Sequence, residues 1–349
     1  MLSTLLCTTL SADAPDSVSA EVRIGVFGLF HPRALNISVI AGSTLVIHAA
    51  GQQIVLERSS GLSTAHVVLS GHELLLTCGS RNLVASRITM EGRQHQPVDF
   101  ILAVPQRISR RYRGRIEIIP ESSLVPIVTM DREAAVASIV AAESTPGTPL
   151  EALKAQAVAA RSYLVSAARR HRDFDFCDTT HCQFLRELPS ADSNAMKATE
   201  ATRGLVLAYR SRPFAAMYTR SCSGKTYTPS QVGLSSGPYP YYSVECLYCR
   251  AHPQRWESTV PASYAAKLHS MNELGRLYLV RQLGSHAAPS NDFVITRDGD
   301  WVLLRGVGEG HGIGLCQAGS TAMARSGADF RQILAHYYPN TSVQSVDEK

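Results

Sequence analysis

The chain has 349 residues, of which 45% are hydrophobic and 18% are charged. The composition is typical of a globular protein and excludes a long disordered tract, and the length exceeds what one average domain needs. The formal net charge of +5 suits an anionic polymer, either a nucleic acid or a cell-wall glycan, and selects neither. No apolar run in the sequence reaches the roughly 18 residues of a membrane span, so we expect no transmembrane segment.

The first 20 residues contain a short apolar stretch and an A-D-A sequence, but they have no positively charged start. A signal peptide combines a basic start, an apolar run and small residues before its cleavage site. We therefore interpret residues 1–20 as an N-terminal segment that could be the remnant of an export signal. Because the basic start is missing, this segment alone does not establish export.

Residues 21–108 consist of short runs rich in Val, Ile and Leu, separated by Gly, Ser or Asn. These runs have the length and composition of strands and predict a small all-β domain without catalytic residues. Residues 109–349 mix strand and helix patterns, so the predicted fold class is α+β. The basic run at residues 107–115 favours a solvated linker between the two domains over a binding patch.

Two helices are predicted on either side of Glu143. The first covers residues 131–142 with Asp131 as its N-cap, and Glu143 closes it because the following S-T-P-G cannot continue a helix. The second begins with an N-cap, a proline at the first helical position and a capping-box glutamate, which are Thr148, Pro149 and Glu151. Further helices are predicted at residues 192–202, 316–325 and 329–337, and further strands at 205–209, 213–218 and 302–305.

A His/Cys cluster follows the second helix. Cys177 and Cys182 bracket a short loop, and His171 and His181 compete to be the third ligand. Thiolates and imidazoles at this spacing favour zinc. We expect His171 to join the two cysteines, since it ends a rigid helix, whereas His181 directly precedes Cys182. A disulfide between Cys177 and Cys182 in an exported protein is the alternative.

A second cysteine group contains Cys222 and the C-L-Y-C pair formed by Cys246 and Cys249. Together with His252 these residues could form a zinc centre of three cysteines and one histidine, in a loop rich in Pro and Tyr. A disulfide is an alternative of equal weight. The remaining cysteines are isolated in the sequence, and they are Cys7, Cys78 and Cys316.

The segment at residues 306–317, G-V-G-E-G-H-G-I-G-L-C-Q, is dense in glycine. It lacks the Lys-Ser/Thr ending of a phosphate-binding loop, and no dinucleotide-binding pattern precedes it. The glycines favour a backbone that runs close to a polymer substrate, with His311 and Gln317 directed into a groove. Glycines that serve only a tight turn are an alternative of comparable weight.

Three motifs, in order, resemble those of the stage II sporulation protein D (SpoIID)/LytB family. They are A-A-E-S-T-P-G-T-P-L-E-A-L-K-A-Q-A-V-A-A-R-S-Y, F-C-D-T-T-H-C-Q and G-E-G-H-G-I-G-L-C-Q-A-G-S. The chain departs from the family in having E-S-T-P at residues 143–146, where Glu-Met-Pro is common, and Cys316 in place of a serine.

The resemblance implies a peptidoglycan lytic transglycosylase in an extracytoplasmic location, with glycan strands as its substrate and a catalytic domain of SpoIID type. Glu143 then corresponds to the single catalytic carboxylate. A structural zinc site near the active cleft corresponds to His171, Cys177 and Cys182. The expected substrate contacts are Gln183, Tyr218, His311 and Gln317.

Two other functions stay open. The first is a non-catalytic wall-binding protein or an enhancer of a cell-wall amidase, which would make the amidase a partner. The second is a zinc-dependent nucleic-acid binder that uses the second cysteine group and the basic run. The sequence has no recognition-helix pattern, so we do not expect a nucleic acid as a partner.

Overall fold

The computed structural model describes residues 20–167, 169–265 and 268–346 of the chain. The predicted α+β class is confirmed, because a large curled sheet at the N-terminal end is followed by helices and smaller sheets. Apart from Ala20, the predicted remnant of an export signal lies outside the described residues. No helix in these ranges combines the length and the hydrophobicity that a membrane crossing requires.

The large sheet contains twelve strands in the described part of the chain. Along most of them buried and less buried residues alternate, since successive side chains of a strand face opposite sides. The buried Val, Ile and Leu residues form one core. The first eleven strands are β1 (Glu21–Gly25), β2 (Ala34–Val39), β3 (Thr44–Ala49), β4 (Gln52–Glu57), β5 (Thr64–Ser70), β6 (Glu73–Cys78), β7 (Arg81–Ala85), β8 (Ile88–Glu91), β9 (Val98–Val104), β10 (Ile108–Pro120) and β11 (Leu124–Asp131).

Strand β10 carries the sheet across the predicted boundary between residues 108 and 109. Its first half pairs with β9, and its second half pairs with β8 and β11. The interpretation of residues 107–115 as a linker is wrong, because most of this basic run lies in β10. Two of its arginines, Arg111 and Arg113, pair with Asp99 on β9. The division of the chain into domains stays a prediction.

Three helices follow the sheet, namely α1 (Arg132–Glu143), α2 (Leu150–Ser166) and α3 (Asn194–Ala201). A buried ion pair fixes α1 relative to α2. The Arg161 guanidinium donates to both carboxylate oxygens of Glu133, at 2.7 and 2.5 Å. The two side chains are at most 4% exposed, so removing either one would leave an unpaired buried charge at a cost of about 3–5 kcal/mol.

The helix starts agree only in part with the predicted caps. Helix α1 begins as predicted, with the Asp131 carboxylate accepting from the Ala134 N–H at 2.9 Å. Helix α2 has no side-chain cap, and the predicted capping box is wrong. The Thr148 hydroxyl donates instead to the Thr145 carbonyl at 2.7 Å. The Glu151 carboxylate forms an ion pair within the first turn of the helix.

The C-terminal part is built from short elements. The twelfth strand of the large sheet, β12 (Phe176–Cys177), pairs with β1. A small unit of three strands and two helices has its own core, and only its strand at residues 302–305 was predicted. The remaining elements are β13 (Leu205–Tyr209), β14 (Arg212–Pro213), β15 (Tyr218–Thr219), α4 (Leu247–Ala251), β16 (Arg255–Pro261), α5 (Ala262–Ala265), α6 (Glu273–Leu283), β17 (Asp292–Asp298), β18 (Trp301–Val307), β19 (Leu315–Cys316), α7 (Gln317–Arg325), α8 (Phe330–Tyr337) and β20 (Ser342–Ser345).

Candidate active site and its two sulfur clusters

Glu143 is the last residue of α1 and stands at a break between two helices. The helix does not continue because Pro146 has no amide proton and Gly147 adopts a left-handed conformation with φ of 77°. The carboxylate reaches the loop that follows the His/Cys cluster. There the Phe184 N–H donates to Glu143 Oε1 at 3.1 Å. The carboxylate is therefore held in a defined orientation.

The Glu143 carboxyl group exchanges its proton near neutral pH. Burial raises its pKa to about 7, because an apolar environment disfavours the charged form. The Phe184 N–H and the Arg220 guanidinium oppose this rise, since both favour the ionised carboxylate. A general acid needs a group that is protonated near the working pH, and Glu143 meets this condition.

A cleft of about 370 Å³ opens beside Glu143. A second carboxylate, that of Glu309, lies in the same cleft, where Gln254 Nε2 donates to its Oε2 at 3.1 Å. Arg220 Nε lies 3.9 Å from the same oxygen. Most of the other lining residues carry hydroxyl or amide groups. They are Ser144, Thr145, Thr148, Gln156, Ser221, Tyr248, Gln317, Ser320 and Thr321.

Two side chains bind the main chain of Glu143. Arg220 Nη1 donates to the Glu143 carbonyl oxygen at 3.1 Å, and Gln317 Nε2 donates to the same atom at 3.3 Å. The last carbonyl groups of a helix have no N–H partner within the helix. The Arg220 and Gln317 side chains supply such a partner at the C-terminal end of α1. Gln317 also lies 3.4 Å from Gln156 Oε1 on α2. The catalytic candidate is thus held at both its side chain and its backbone.

The predicted substrate contacts occupy different positions. Gln317 lines the cleft. Gln183 is buried and Tyr218 is half-buried, and the Tyr218 hydroxyl donates to Gln183 Oε1 at 3.1 Å. Gln183 Nε2 in turn donates to the Ala160 carbonyl at 3.1 Å. Neither residue is among those that line the cleft, and these hydrogen bonds connect Tyr218 through Gln183 to α2.

His311 lies outside the cleft, contrary to the expectation that it shares a groove with Gln317. Burial lowers its pKa to about 4, and the charge of Glu273 opposes this shift. Its Nδ1 accepts from the Ile313 N–H at 3.0 Å. The positive φ of the alternating glycines, 78° at Gly312 among them, turns the segment between His311 and Gln317.

The His/Cys cluster lies at the end of the large sheet, beside β12. The ligand atoms of His171, Cys177, His181 and Cys182 lie within 4.8 Å of one another. His171 Nε2 is 3.3 Å from Cys182 Sγ, and His181 Nδ1 is 3.7 Å from Cys177 Sγ. The structure thus unites both histidines, which sequence reasoning treated as competitors. A turn closed by the Cys182 N–H and the Thr179 carbonyl, at 3.0 Å, provides the necessary bend.

The second cluster consists of four buried cysteines in the described chain, Cys222, Cys246, Cys249 and Cys316. Their Sγ atoms also lie within 4.8 Å of one another. The interpretation of Cys316 as isolated is wrong, because its Sγ lies 3.6 Å from Cys249 Sγ. This contact joins two residues that are 67 positions apart in the sequence.

Cys316 lies beside the other cysteines because β15 pairs with β19. This pairing places Thr219 opposite Cys316, and so brings the glycine-rich segment next to Cys222. His252, the predicted fourth ligand, is exposed and stacks on Tyr248. Its Nδ1 lies 3.1 Å from the Tyr248 carbonyl oxygen. The structure therefore places Cys316, not His252, beside the other three cysteines.

Sequence reasoning missed Arg220, Gln156 and Glu309 as cleft residues. Gln156 lies in the motif E-A-L-K-A-Q and Glu309 in the motif G-E-G-H. Polar residues inside these two motifs could have been predicted to line the cleft. Arg220 stands in no such motif. Its position becomes evident only when β15 and β19 are paired.

The family comparison agrees with the motifs. A family model described as stage II sporulation protein, SpoIID, matches residues 121–209. Residues 121–209 are therefore similar to the SpoIID family. The matched segment includes α1, α2, Glu143 and the whole His/Cys cluster, and the predicted resemblance is confirmed.

Similar proteins extend this match. Stage II sporulation protein D of Bacillus subtilis is 26% identical over 258 residues, covering 61% of this chain and 74% of that protein. An uncharacterized protein of Brachyspira hyodysenteriae is 26% identical over 265 residues, covering 66% of this chain and 72% of that protein. Amidase enhancer of Bacillus subtilis is 25% identical over 274 residues, covering 56% of this chain and 38% of that protein.

Proposed function

We propose that the protein cleaves the glycan strands of peptidoglycan by lytic transglycosylation, outside the cytoplasm. Its relationship to stage II sporulation protein D and to an amidase enhancer supports a role at the cell wall. The observation that carries the finer proposal is Glu143, a half-buried carboxyl group with a pKa of about 7 at the wall of a cleft. Such a group can give and take a proton in one catalytic cycle.

In the proposed reaction, protonated Glu143 donates its proton to the glycosidic oxygen between N-acetylmuramic acid and N-acetylglucosamine. The bond from that oxygen to the muramyl C1 breaks, and the N-acetylglucosamine leaves with a hydroxyl group. The carboxylate then removes the proton of the muramyl C6 hydroxyl, whose oxygen bonds to C1 and closes a 1,6-anhydro ring. Because the nucleophile belongs to the substrate, one carboxylate suffices, unlike in two-carboxylate hydrolases.

The residues around Glu143 have distinct parts in this proposal. The Phe184 N–H keeps the pKa of Glu143 from rising further and orients Oε1. Arg220 and Gln317 fix the backbone carbonyl, so that the carboxyl group does not move when its charge changes. Glu309 is engaged by Gln254 and lies near Arg220, and we assign it no proton transfer.

A metal ion fits the His/Cys cluster, since two thiols and two imidazoles converge there. We propose that His171, Cys177, His181 and Cys182 would hold zinc, which would supply a structural cross-link and no reacting group. Cys182 is two residues before Phe184, so the cross-link would steady the loop whose N–H binds the Glu143 carboxylate. The thiols and imidazoles can fill all four positions of a tetrahedral site.

A second candidate function is the enhancement of a cell-wall amidase, with that amidase as partner. The similarity to Amidase enhancer of Bacillus subtilis favours it. In this case the cleft would bind a glycan strand without cutting it. The two functions differ in whether the protein alone changes the glycan.

The test is a digestion of purified glycan strands, with products identified by mass spectrometry. We expect new ends that carry 1,6-anhydro-muramic acid. Reducing ends in their place would indicate hydrolysis and contradict the proposed reaction. Binding without new ends, together with faster release of stem peptides when an amidase is added, would favour the enhancer.

The matched control is the other carboxylate of the cleft. Glu309→Gln should keep the rate within about tenfold, because the proposal gives Glu309 no proton to transfer. A loss as large as that of Glu143→Gln would indicate two catalytic carboxylates. The mechanism would then be that of a hydrolase with an acid and a base.

A further inference from the structure

The four buried cysteines beneath the cleft have the geometry of one centre. A tetrahedral zinc ion with bonds of about 2.3 Å to sulfur sets neighbouring sulfurs about 3.8 Å apart. Cys249 Sγ and Cys316 Sγ are 3.6 Å apart, and all four sulfurs lie within 4.8 Å of one another. Two separate disulfides would instead group the sulfurs into two bonded pairs. The arrangement therefore favours a single ion.

Hydrogen-bond donors surround these sulfurs. The N–H groups of Cys222 and Gly319 each donate to Cys316 Sγ at 3.4 Å. The Tyr337 hydroxyl donates to Cys246 Sγ at 3.5 Å. Donors of this kind stabilise thiolates and orient them toward a metal ion. A cluster of neutral buried thiols would not require such partners.

Helix α7 approaches the cluster so closely that only glycine fits. A Cβ atom at Gly319 would lie 2.5 Å from Cys246 Sγ, which is too short for a real contact. The first turn of α7 thereby packs on the sulfurs. Cys316 is its N-cap, and the cleft residue Gln317 follows directly.

We propose that Cys222, Cys246, Cys249 and Cys316 form a second zinc site, which ties three distant segments together under the cleft. A site of four thiolates has no position open for water, so its role is structural. Its ligands adjoin residues that line the cleft. Ser221 precedes Cys222, Tyr248 precedes Cys249, and Gln317 follows Cys316. The site fixes the wall of the cleft that binds the Glu143 carbonyl.

This inference does not depend on glycan cleavage, because its test is metal content. The full chain is purified with its thiols reduced, loaded with zinc and freed of excess, and its zinc is measured per chain. Cys316→Ser should bind one zinc equivalent fewer than the wild type. The control is Cys78→Ser, which removes a buried cysteine of the large sheet and should leave the zinc content unchanged.

A second variant keeps the test decisive if Cys316→Ser does not fold. The double substitution His171→Ala and Cys177→Ser disables the His/Cys cluster and leaves the four cysteines intact. This variant should retain one zinc equivalent. With cobalt in place of zinc, it should show the charge-transfer absorption of thiolate ligands.

Three metal measurements would overturn the proposal. They are equal zinc content in wild type and Cys316→Ser, a double variant that binds no metal, and iron in place of zinc after purification. Disulfides among the four cysteines in the zinc-loaded wild type would overturn it as well. Failure of the proteins to cleave glycan would bear only on the proposed function.

Discussion

The two sulfur clusters adjoin residues that bind different parts of Glu143. The His/Cys cluster is contained in residues 171–182 and leads directly to Phe184, whose N–H binds the carboxylate. The all-cysteine cluster draws on three segments and adjoins Arg220 and Gln317, which bind the backbone carbonyl. The His/Cys cluster can therefore influence the pKa of the Glu143 carboxyl group, whereas the all-cysteine cluster can fix the position of the Glu143 backbone.

The clusters also differ in burial. His181 is exposed and Cys182 is buried, whereas all four cysteines of the second cluster are buried. A buried cross-link between distant segments restricts the unfolded chain more than a local one, because the loop that it closes is longer. We therefore expect the all-cysteine cluster to matter more for stability, and the His/Cys cluster to matter more for proton transfer.

The largest expected effect is on stability. Relative to the zinc-loaded wild type, Cys316→Ser should lower the free energy of unfolding by about 3–5 kcal/mol, since it removes a buried metal ligand and weakens a long-range cross-link. Cys177→Ser should cost roughly 1–2 kcal/mol, because its cluster is local and half-exposed. Denaturant unfolding of both variants measures the difference. Equal losses of unfolding free energy in Cys316→Ser and Cys177→Ser would contradict the proposed difference between the clusters. The control Cys78→Ser gives the cost of replacing a cysteine outside either cluster.

The second effect is a pH dependence of stability at Glu143. Its pKa of about 7 in the folded state lies above that of an unfolded chain, so its contribution to stability is full below about pH 4 and is lost as the pH rises through 7. Between pH 5 and 8 the wild type should lose about 2 kcal/mol that Glu143→Gln keeps. Unfolding curves of both proteins at the two pH values measure this. Parallel pH dependences of the two proteins would mean that partial burial does not raise the pKa of Glu143.

The smallest effect separates the clusters by their influence on the acid. Cys177→Ser should move the alkaline limb of the pH–activity profile upward by about 1 unit, because a loosened loop no longer donates the Phe184 N–H to the ionised carboxylate. Cys316→Ser should move it less, since the Arg220 side chain is 42% exposed and its charge is screened by solvent. The profile of each variant at saturating glycan provides the comparison. A larger shift for Cys316→Ser would reverse the assignment of roles.

Sequence reasoning was strongest where the chemistry is local. Alternating apolar residues indicated the strands of the large sheet, and the Asp131 cap with the S-T-P-G break gave the bounds of α1 and the position of Glu143. Both candidate ligand groups were noted from spacing. His181 was judged a competitor of His171 because the turn at Thr179 is not evident from residue types.

It was weakest where distant segments meet. Cys316 looked isolated, and His252 looked like a ligand, because sequence distance was used in place of the pairing of β15 with β19. Because this pairing was not known from the sequence, Arg220 was not recognised as a cleft residue, and His311 was expected in the cleft. The failed capping box at Thr148 has a different cause, since its hydroxyl finds the Thr145 carbonyl within its own turn.

The central claim is that Glu143 alone carries the proton transfers, and one measurement tests it most directly. Purified glycan strands are digested near pH 6 with the wild type, Glu143→Gln and Glu309→Gln, and 1,6-anhydro-muramyl ends are counted by mass spectrometry over time. We expect Glu143→Gln to form these ends at least about 100-fold more slowly than the wild type, because an amide cannot donate and retrieve the proton. Equal rates of anhydro-end formation by wild type and Glu143→Gln would contradict the account.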